Sequence, residues 1–162
     1  MKKNNSVFVI SEIFKSPLSK VYKAWSDPKK LEKWWGPKGV KSTSVKMDLR
    51  DGGLHHYKML TEDGKEMWGM MEFIKIDPMK SWECITHFSD ADGGTTIHPL
   101  NPNWPKLMHT KITFSERNNE TLVRVEWMPL KPTEVELKTF MEGHDSMKQG
   151  WGGTFERLKN HL

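Results

Sequence analysis

From Ser6 to Phe14 the chain is rich in β-branched and aromatic residues, which predicts a first strand. Ser16-Pro17 breaks that pattern: a serine cap and a proline at the first helical position suit a helix start. Leu18, Val21, Tyr22 and Trp25 follow at helical spacing and carry the helix to about Ser26. Asp27-Pro28 restarts a second, shorter helix bearing Leu31, Trp34 and Trp35, and Gly36-Pro37-Lys38-Gly39 ends it.

The period then shortens to two. Val45, Met47 and Leu49 alternate with Lys46, Asp48 and Arg50. Asp51-Gly52-Gly53 is a turn, Leu54 to Leu60 a strand, and Glu62-Asp63-Gly64 a hairpin signal. Met67 to Ile76 and Ser81 to Phe88 read as further strands, the latter with Trp82, Cys84, Thr86 and Phe88 on one face. Asp90 to Pro105 holds three prolines and two glycines and reads as a long loop near a cavity entrance, with Ile97, Leu100 and Trp104 as apolar anchors. Thr110, Ile112 and Phe114 share a face, as do Thr121, Val123, Val125 and Trp127 after the Asn118-Asn119 turn.

Near Pro132-Thr133-Glu134 the period lengthens again. Leu137, Phe140, His144, Met147, Trp151, Phe155 and Leu158 recur every three or four residues, which predicts one amphipathic helix over about 133–160. It carries Gly143, Gly150, Gly152 and Gly153, each costing roughly 1 kcal/mol against alanine. A close approach of helix to sheet at these glycines is the expected compensation.

Composition narrows the class. The 162 residues suffice for one domain with a real core, and residues 1–162 are read as that domain. Hydrophobic residues at 36% and charged residues at 28% exclude a disordered chain. No run of about 18 apolar residues exists to span a membrane as a helix. Met1 to Asn5 is basic, but Val7 to Ile10 is too short for a signal-peptide core, so a cytoplasmic protein is expected. A lone cysteine, Cys84, excludes an internal disulfide and a cysteine metal cluster, and fits a reducing compartment. The formal net charge of +4 comes from scattered lysines, not from a basic stripe with interleaved aromatics, which argues against nucleic acid. Eight tryptophans and eleven methionines are the unusual numbers, and both types fill large or irregular apolar spaces.

Candidate chemistry is sparse. His55-His56 are neighbours in a strand and point to opposite faces, so one is expected outside and one half-buried, with no shared metal. His87, His98, His109 and His144 have no ligand spacing, and no metal or cofactor is expected. Cys84 lacks a visible base and reads as a small buried hydrophobe. His144, on the apolar helical stripe, is either a core histidine or a group that orients a ligand. Trp34-Trp35-Gly36-Pro37 either rims a cavity mouth or plugs the short helices onto the sheet. No nucleophile elbow, phosphate loop or dinucleotide fingerprint occurs, so no enzymatic reaction is assigned.

Several runs resemble one family. They are Ala24-Trp25-Ser26-Asp27-Pro28 with Leu31, then Trp34-Trp35-Gly36-Pro37, and Asp48-Leu49-Arg50-Asp51-Gly52-Gly53. Asp63-Gly64 with Gly69, Phe88-Ser89-Asp90 with Gly93, and Gly150-Trp151-Gly152-Gly153-Thr154 with Leu158 follow in the same order. These resemble the bacterial proteins similar to the activator of the 90-kDa heat-shock-protein ATPase, within the START-like (SRPBCC) superfamily, over roughly residues 6 to 162. The resemblance implies a helix-grip fold whose members bind hydrophobic ligands between sheet and C-terminal helix. Some members are polyketide cyclases, and the eukaryotic namesake stimulates a chaperone ATPase.

The expected fold is therefore α+β. A curved antiparallel sheet of about six or seven strands wraps a long C-terminal helix, with two short helices after the first strand. The expected partner is a hydrophobic small molecule, in a pocket lined by some of Trp82, Phe88, Ile112, Phe114, Val125, Trp127, Phe140, His144, Met147 and Trp151. A module acting on a chaperone and an enzyme of polyketide-cyclase type are the alternatives.

Overall fold

The structure, a computed structural model, describes residues 6–162, and the basic start Met1 to Asn5 lies outside them. The alternating segments all form strands: β1 (Phe8–Phe14), β2 (Lys41–Asp48), β3 (Leu54–Leu60), β4 (Glu66–Asp77), β5 (Ser81–Ser89), β6 (Thr95–Thr96), β7 (Met108–Arg117) and β8 (Glu120–Pro129). They make one antiparallel sheet in the order β1-β8-β7-β5-β4-β3-β2, with the two-residue β6 beside β5. The first strand thus pairs with the last, Ile10 opposite Val125.

Helices α1 (Leu18–Ser26) and α2 (Pro28–Leu31) follow β1, and α3 (Glu134–Glu142) and α4 (His144–His161) close the chain. Asp27 caps α2 by accepting from the Lys29 N–H, ahead of Pro28 at the first position. The expected serine cap on α1 does not form. Pro17 stands at that cap, and the Leu18 N–H donates instead to Glu116 Oε2 of β7 at 3.2 Å. Thr133 and Glu136 form a reciprocal capping box on α3.

The single C-terminal helix expected from the periodicity is two helices. Gly143, with φ −93° and ψ 8°, ends α3 and starts α4. A Cβ there would stand 3.2 Å from both the Trp104 ring and the Thr139 carbonyl oxygen. The break lets the long loop seat its tryptophan against the helix. Val45 also departs from the alternation. The β2–β3 register shifts between Ser44 and Lys46, and Val45, at that bulge, is exposed.

The buried face of the sheet carries Phe8 and Phe14 of β1, Val123 and Val125 of β8, Ile112 and Phe114 of β7, Trp82 and Cys84 of β5 and Met71 and Phe73 of β4. Helix α4 covers it with Met147, Trp151, Phe155 and Leu158. Helix α1 covers the other end with Val21, Tyr22 and Trp25. That second end is solid. Trp25, Trp34 and Trp82 are fully buried, the Trp34 indole donates to the Ala24 carbonyl at 3.1 Å, and the Trp82 indole donates to Tyr22 Oη at 3.1 Å.

Candidate ligand-binding site

Between the sheet and α4, the covered face opens into a cavity of about 240 Å³. The sheet contributes Tyr57 and Met59 from β3, Met71 from β4, Thr86 and Phe88 from β5, Met108, Thr110 and Ile112 from β7, and Trp127 from β8. Helix α4 contributes Met147, Gly150, Trp151 and Thr154. The segment after α2 supplies Trp35, Gly36 and Pro37, and the long loop supplies Trp104 and Pro105. Trp151 is central: its ring lies 5.8 Å from Trp35 and 5.6 Å from Trp127, nearly perpendicular to the first.

Arg157 fixes the wall formed after α2. Its Nη1 donates to the carbonyls of Trp35, Gly36 and Pro37 at 3.2, 2.9 and 3.0 Å, and Nη2 donates to the Lys33 carbonyl at 3.2 Å. One cation thereby gathers four carbonyls of the segment after the short helix and ties them to α4.

The polar groups in the lining are few. Thr86 and Thr110 share a hydrogen bond between their hydroxyls at 3.0 Å, and the Thr154 hydroxyl donates to the Gly150 carbonyl at 3.0 Å. Burial pushes the Tyr57 hydroxyl up to about 12, against the neighbouring Trp35 side chain, which works the other way. His87 borders the cavity between Thr86 and Phe88, but its ring is engaged with Glu72 Oε2 at 3.2 Å and the Phe88 carbonyl at 2.8 Å. No Asp, Glu, Lys or Arg is among the lining residues. The lining is mainly apolar, which suits the binding of an apolar molecule.

The residues named from the sequence divide in two. Phe88, Ile112, Trp127, Met147 and Trp151 line the cavity. Trp82, Phe114, Val125 and Phe140 sit in the core outside the lining. Trp82 and Phe114 belong to the solid end under α1, with ring centroids 5.8 and 5.5 Å from Trp25. Phe140 packs on Trp104 at 5.8 Å. His144 is also outside the lining, held between Phe8 at 5.5 Å and Phe140 at 5.3 Å, with its Nε2 buried and without a hydrogen-bond partner. Strand alternation assigns a face and not a distance along the strand, so residues of one face at the α1 end and the α4 end look alike in sequence.

Tyr57, Met59, Met71, Thr86 and Thr110 are lining residues that the sequence analysis did not select. Thr86 and Thr110 lie on faces already identified, and their polar character hid them. Of the loop residues, Trp104 and Pro105 reach the cavity, whereas Ile97 and Leu100 are exposed and anchor nothing. The glycines of α4 act differently from expectation. A Cβ at Gly150 or Gly152 would meet nothing within 4 Å, and one at Gly153 would meet only Lys38. They leave room where a close approach was expected.

The histidine pair is also more buried than expected. His55 bonds Ser44 Oγ at 3.0 Å on the covered face. His56 bonds Ser89 Oγ and the Asp90 carbonyl, both at 3.1 Å, under the turn that starts the long loop. That turn covers a patch of the outer face, so both rings are enclosed. Cys84 is fully buried, and burial pushes its thiol up, which keeps it protonated. Among the described residues, no group of three or more His, Cys, Asp or Glu is placed to hold a metal. No helix among them is long and apolar enough to cross a membrane.

Comparison with known proteins was decisive at the level of family. The family model described as Activator of Hsp90 ATPase homolog 1-like protein matches residues 15–162. The chain belongs to this family. Solved structures agree with this activator-like fold. A crystal structure of a protein from Mycobacterium smegmatis superposes with a TM-score of 0.78 at 24% identity, covering 99% of this chain and 93% of that one. A solution structure from Arthrobacter aurescens gives 0.80 at 23% identity, covering 99% and 88%. A protein from Silicibacter pomeroyi, named after the same activator, gives 0.69 at 17% identity, covering 96% of each chain. At these identities the likeness is one of fold. No curated protein matches the chain.

Proposed function

We propose that this activator-like protein binds an apolar small molecule in the cavity between the sheet and α4. The carrying observation is the cavity itself: about 240 Å³, walled by tryptophans, methionines and other apolar groups. Engineered apolar cavities of about 150 Å³ stay dry and take benzene. A cavity half again as large suits a two-ring compound or a short acyl chain. Close-packed interiors leave few such spaces, so a preformed one favours an occupant. Family membership supports the reading, since START-like proteins commonly bind hydrophobic ligands. The lone, buried Cys84 thiol fits a reducing compartment, and we place the protein in the cytoplasm.

The test is titration with N-phenyl-1-naphthylamine, an uncharged apolar fluorophore, alongside native mass spectrometry of freshly purified protein. The wild type is expected to enhance the probe's fluorescence saturably. Met147→Trp, which adds bulk to a lining residue, should weaken that binding at least tenfold with a thermal midpoint within a few degrees of wild type. No probe binding by the wild type, together with destabilisation of Met147→Trp by the roughly 1–3 kcal/mol typical of overpacking, overturns the reading. An interaction with a chaperone ATPase through the outer surface then becomes the better account.

A further inference from the structure

The cavity is mainly apolar, but one of its polar groups has an unused proton. Tyr57 lines the wall with its ring 5.8 Å from that of Trp35 and almost perpendicular to it. The neighbouring Trp35 side chain favours the ionised phenol, but burial outweighs it and holds the proton on. An indole N–H can only donate, so Trp35 offers the phenol proton no acceptor. No protein acceptor for that proton is seen among the described residues. Tyr57 is half-buried and lines the cavity.

The position of the hydroxyl is fixed by a glycine. Tyr57 stands opposite Gly69 in the β3–β4 ladder, and a Cβ at residue 69 would run into Tyr57 Cζ and Oη. The phenol therefore lies flat across the glycine, a seat only glycine offers. The hydroxyl stays protonated at any ordinary pH, since burial raises it to about 12.

We propose that the natural ligand is an uncharged, mainly apolar molecule bearing a hydrogen-bond acceptor, such as a ketone, ester or quinone carbonyl, and that the Tyr57 hydroxyl donates to it. This rests on the cavity reading given above and specifies its chemistry. The wall holds no Lys or Arg, so a buried carboxylate or phosphate would lose its hydration without a permanent counter-charge. Thr154 is engaged with its own helix, and the Thr86–Thr110 pair uses one of its two protons internally, so the donors available in the lining are Tyr57, the remaining threonine proton and the unpartnered Trp127 indole N–H, and Tyr57 is the one we assign.

Three probes of one shape separate these ideas: 2-ethylnaphthalene, 2-acetylnaphthalene and 2-naphthoate, measured by equilibrium dialysis at pH 7. The wild type should bind the acetyl compound roughly tenfold more tightly than the ethyl compound, the effect of one good hydrogen bond, and the carboxylate more weakly than either. In Tyr57→Phe the acetyl preference should fall below about threefold while 2-ethylnaphthalene binds as before, which also reports that the variant is folded. In Thr86→Val the preference should persist. Equal wild-type affinities for the ethyl and acetyl compounds, a preference that survives Tyr57→Phe, or tight binding of the carboxylate overturns this inference and leaves the cavity reading standing. Failure of all three to bind overturns both.

Discussion

At the α1 end of the covered face, Tyr22, Trp25, Trp34, Trp82 and Phe114 meet edge to face with centroids 4.7–6.1 Å apart. At the α4 end, Trp35, Trp127 and Trp151 meet at the similar separations of 5.6 and 5.8 Å, and yet leave about 240 Å³ empty. The aromatic residues are alike, so they do not explain the difference. The helices do. Helix α1 lowers Val21, Tyr22 and Trp25 onto the sheet. Helix α4 faces the cavity with Met147, Gly150, Trp151 and Thr154, in which a glycine and a threonine stand where large side chains would close the gap. A cavity here is made by small residues on one helix and not by a special lining.

The contrast can be broken most forcefully at Trp82. The ring is fully buried between Trp25, Phe73 and Phe114, and its indole donates to Tyr22 Oη. Trp82→Ala should cost about 3–5 kcal/mol in urea unfolding, as large-to-small changes in closed cores do, and it strands the tyrosine hydroxyl as well. A loss below about 1 kcal/mol would mean that the α1 end is as loosely filled as the α4 end.

A second effect comes from the border between the two regions. His55 bonds Ser44, which abuts α2, and its ring lies 5.0 Å from that of Tyr57 in the cavity wall. Burial first, and the neighbouring His56 second, hold its imidazole down from 6.5 to about 4. The folded state therefore disfavours the proton that the unfolded chain takes up below 6.5. Its contribution to stability is complete above pH 6.5 and is lost as the pH falls towards 4, by about 3 kcal/mol in all. His98 and His161 are also shifted down by burial and push the same way, from more exposed positions. Urea midpoints at pH 7 and pH 4 should therefore converge in His55→Gln relative to wild type. An unchanged pH dependence in the variant would show that the ring is not the group that titrates.

How much of this was legible beforehand differs between the two ends in the same way. Alternation placed Trp82, Phe88, Ile112, Phe114, Val125 and Trp127 on the covered face, and all are there. It could not say that Phe114 lies under α1 and Ile112 in the cavity, because two residues of one strand face differ only in how far along the groove they stand. Helical periodicity found the stripe from Phe140 to Leu158 but missed its break at Gly143. A glycine within a periodic run is compatible with continuing or ending, and the tertiary contact with Trp104 decides which. Tyr57 escaped because its seat depends on Gly69 across the ladder, a pairing that register alone reveals. The family motifs were readable because they are turns and core residues, which is also why they carry so little about the ligand.

The smallest effect isolates the cause of the cavity. Gly150 lies within α4 and lines the cavity, and a Cβ built on it meets nothing within 4 Å. Alanine there removes the extra backbone entropy that glycine loses on folding and adds no clash. Gly150→Ala should therefore stabilise the protein by about 0.5–1 kcal/mol, read as a higher urea midpoint with an unchanged slope. One methyl group is small against 240 Å³, so N-phenyl-1-naphthylamine should bind with an affinity within a few-fold of wild type. The combination matters more than either number. A stabilising alanine that spares binding shows that glycine at 150 is not required by backbone geometry or by close packing, and that what its position supplies is space. A destabilising alanine would instead reveal a contact that closes on Gly150 in solution, and the cavity would then owe its size to something other than the small residues of α4.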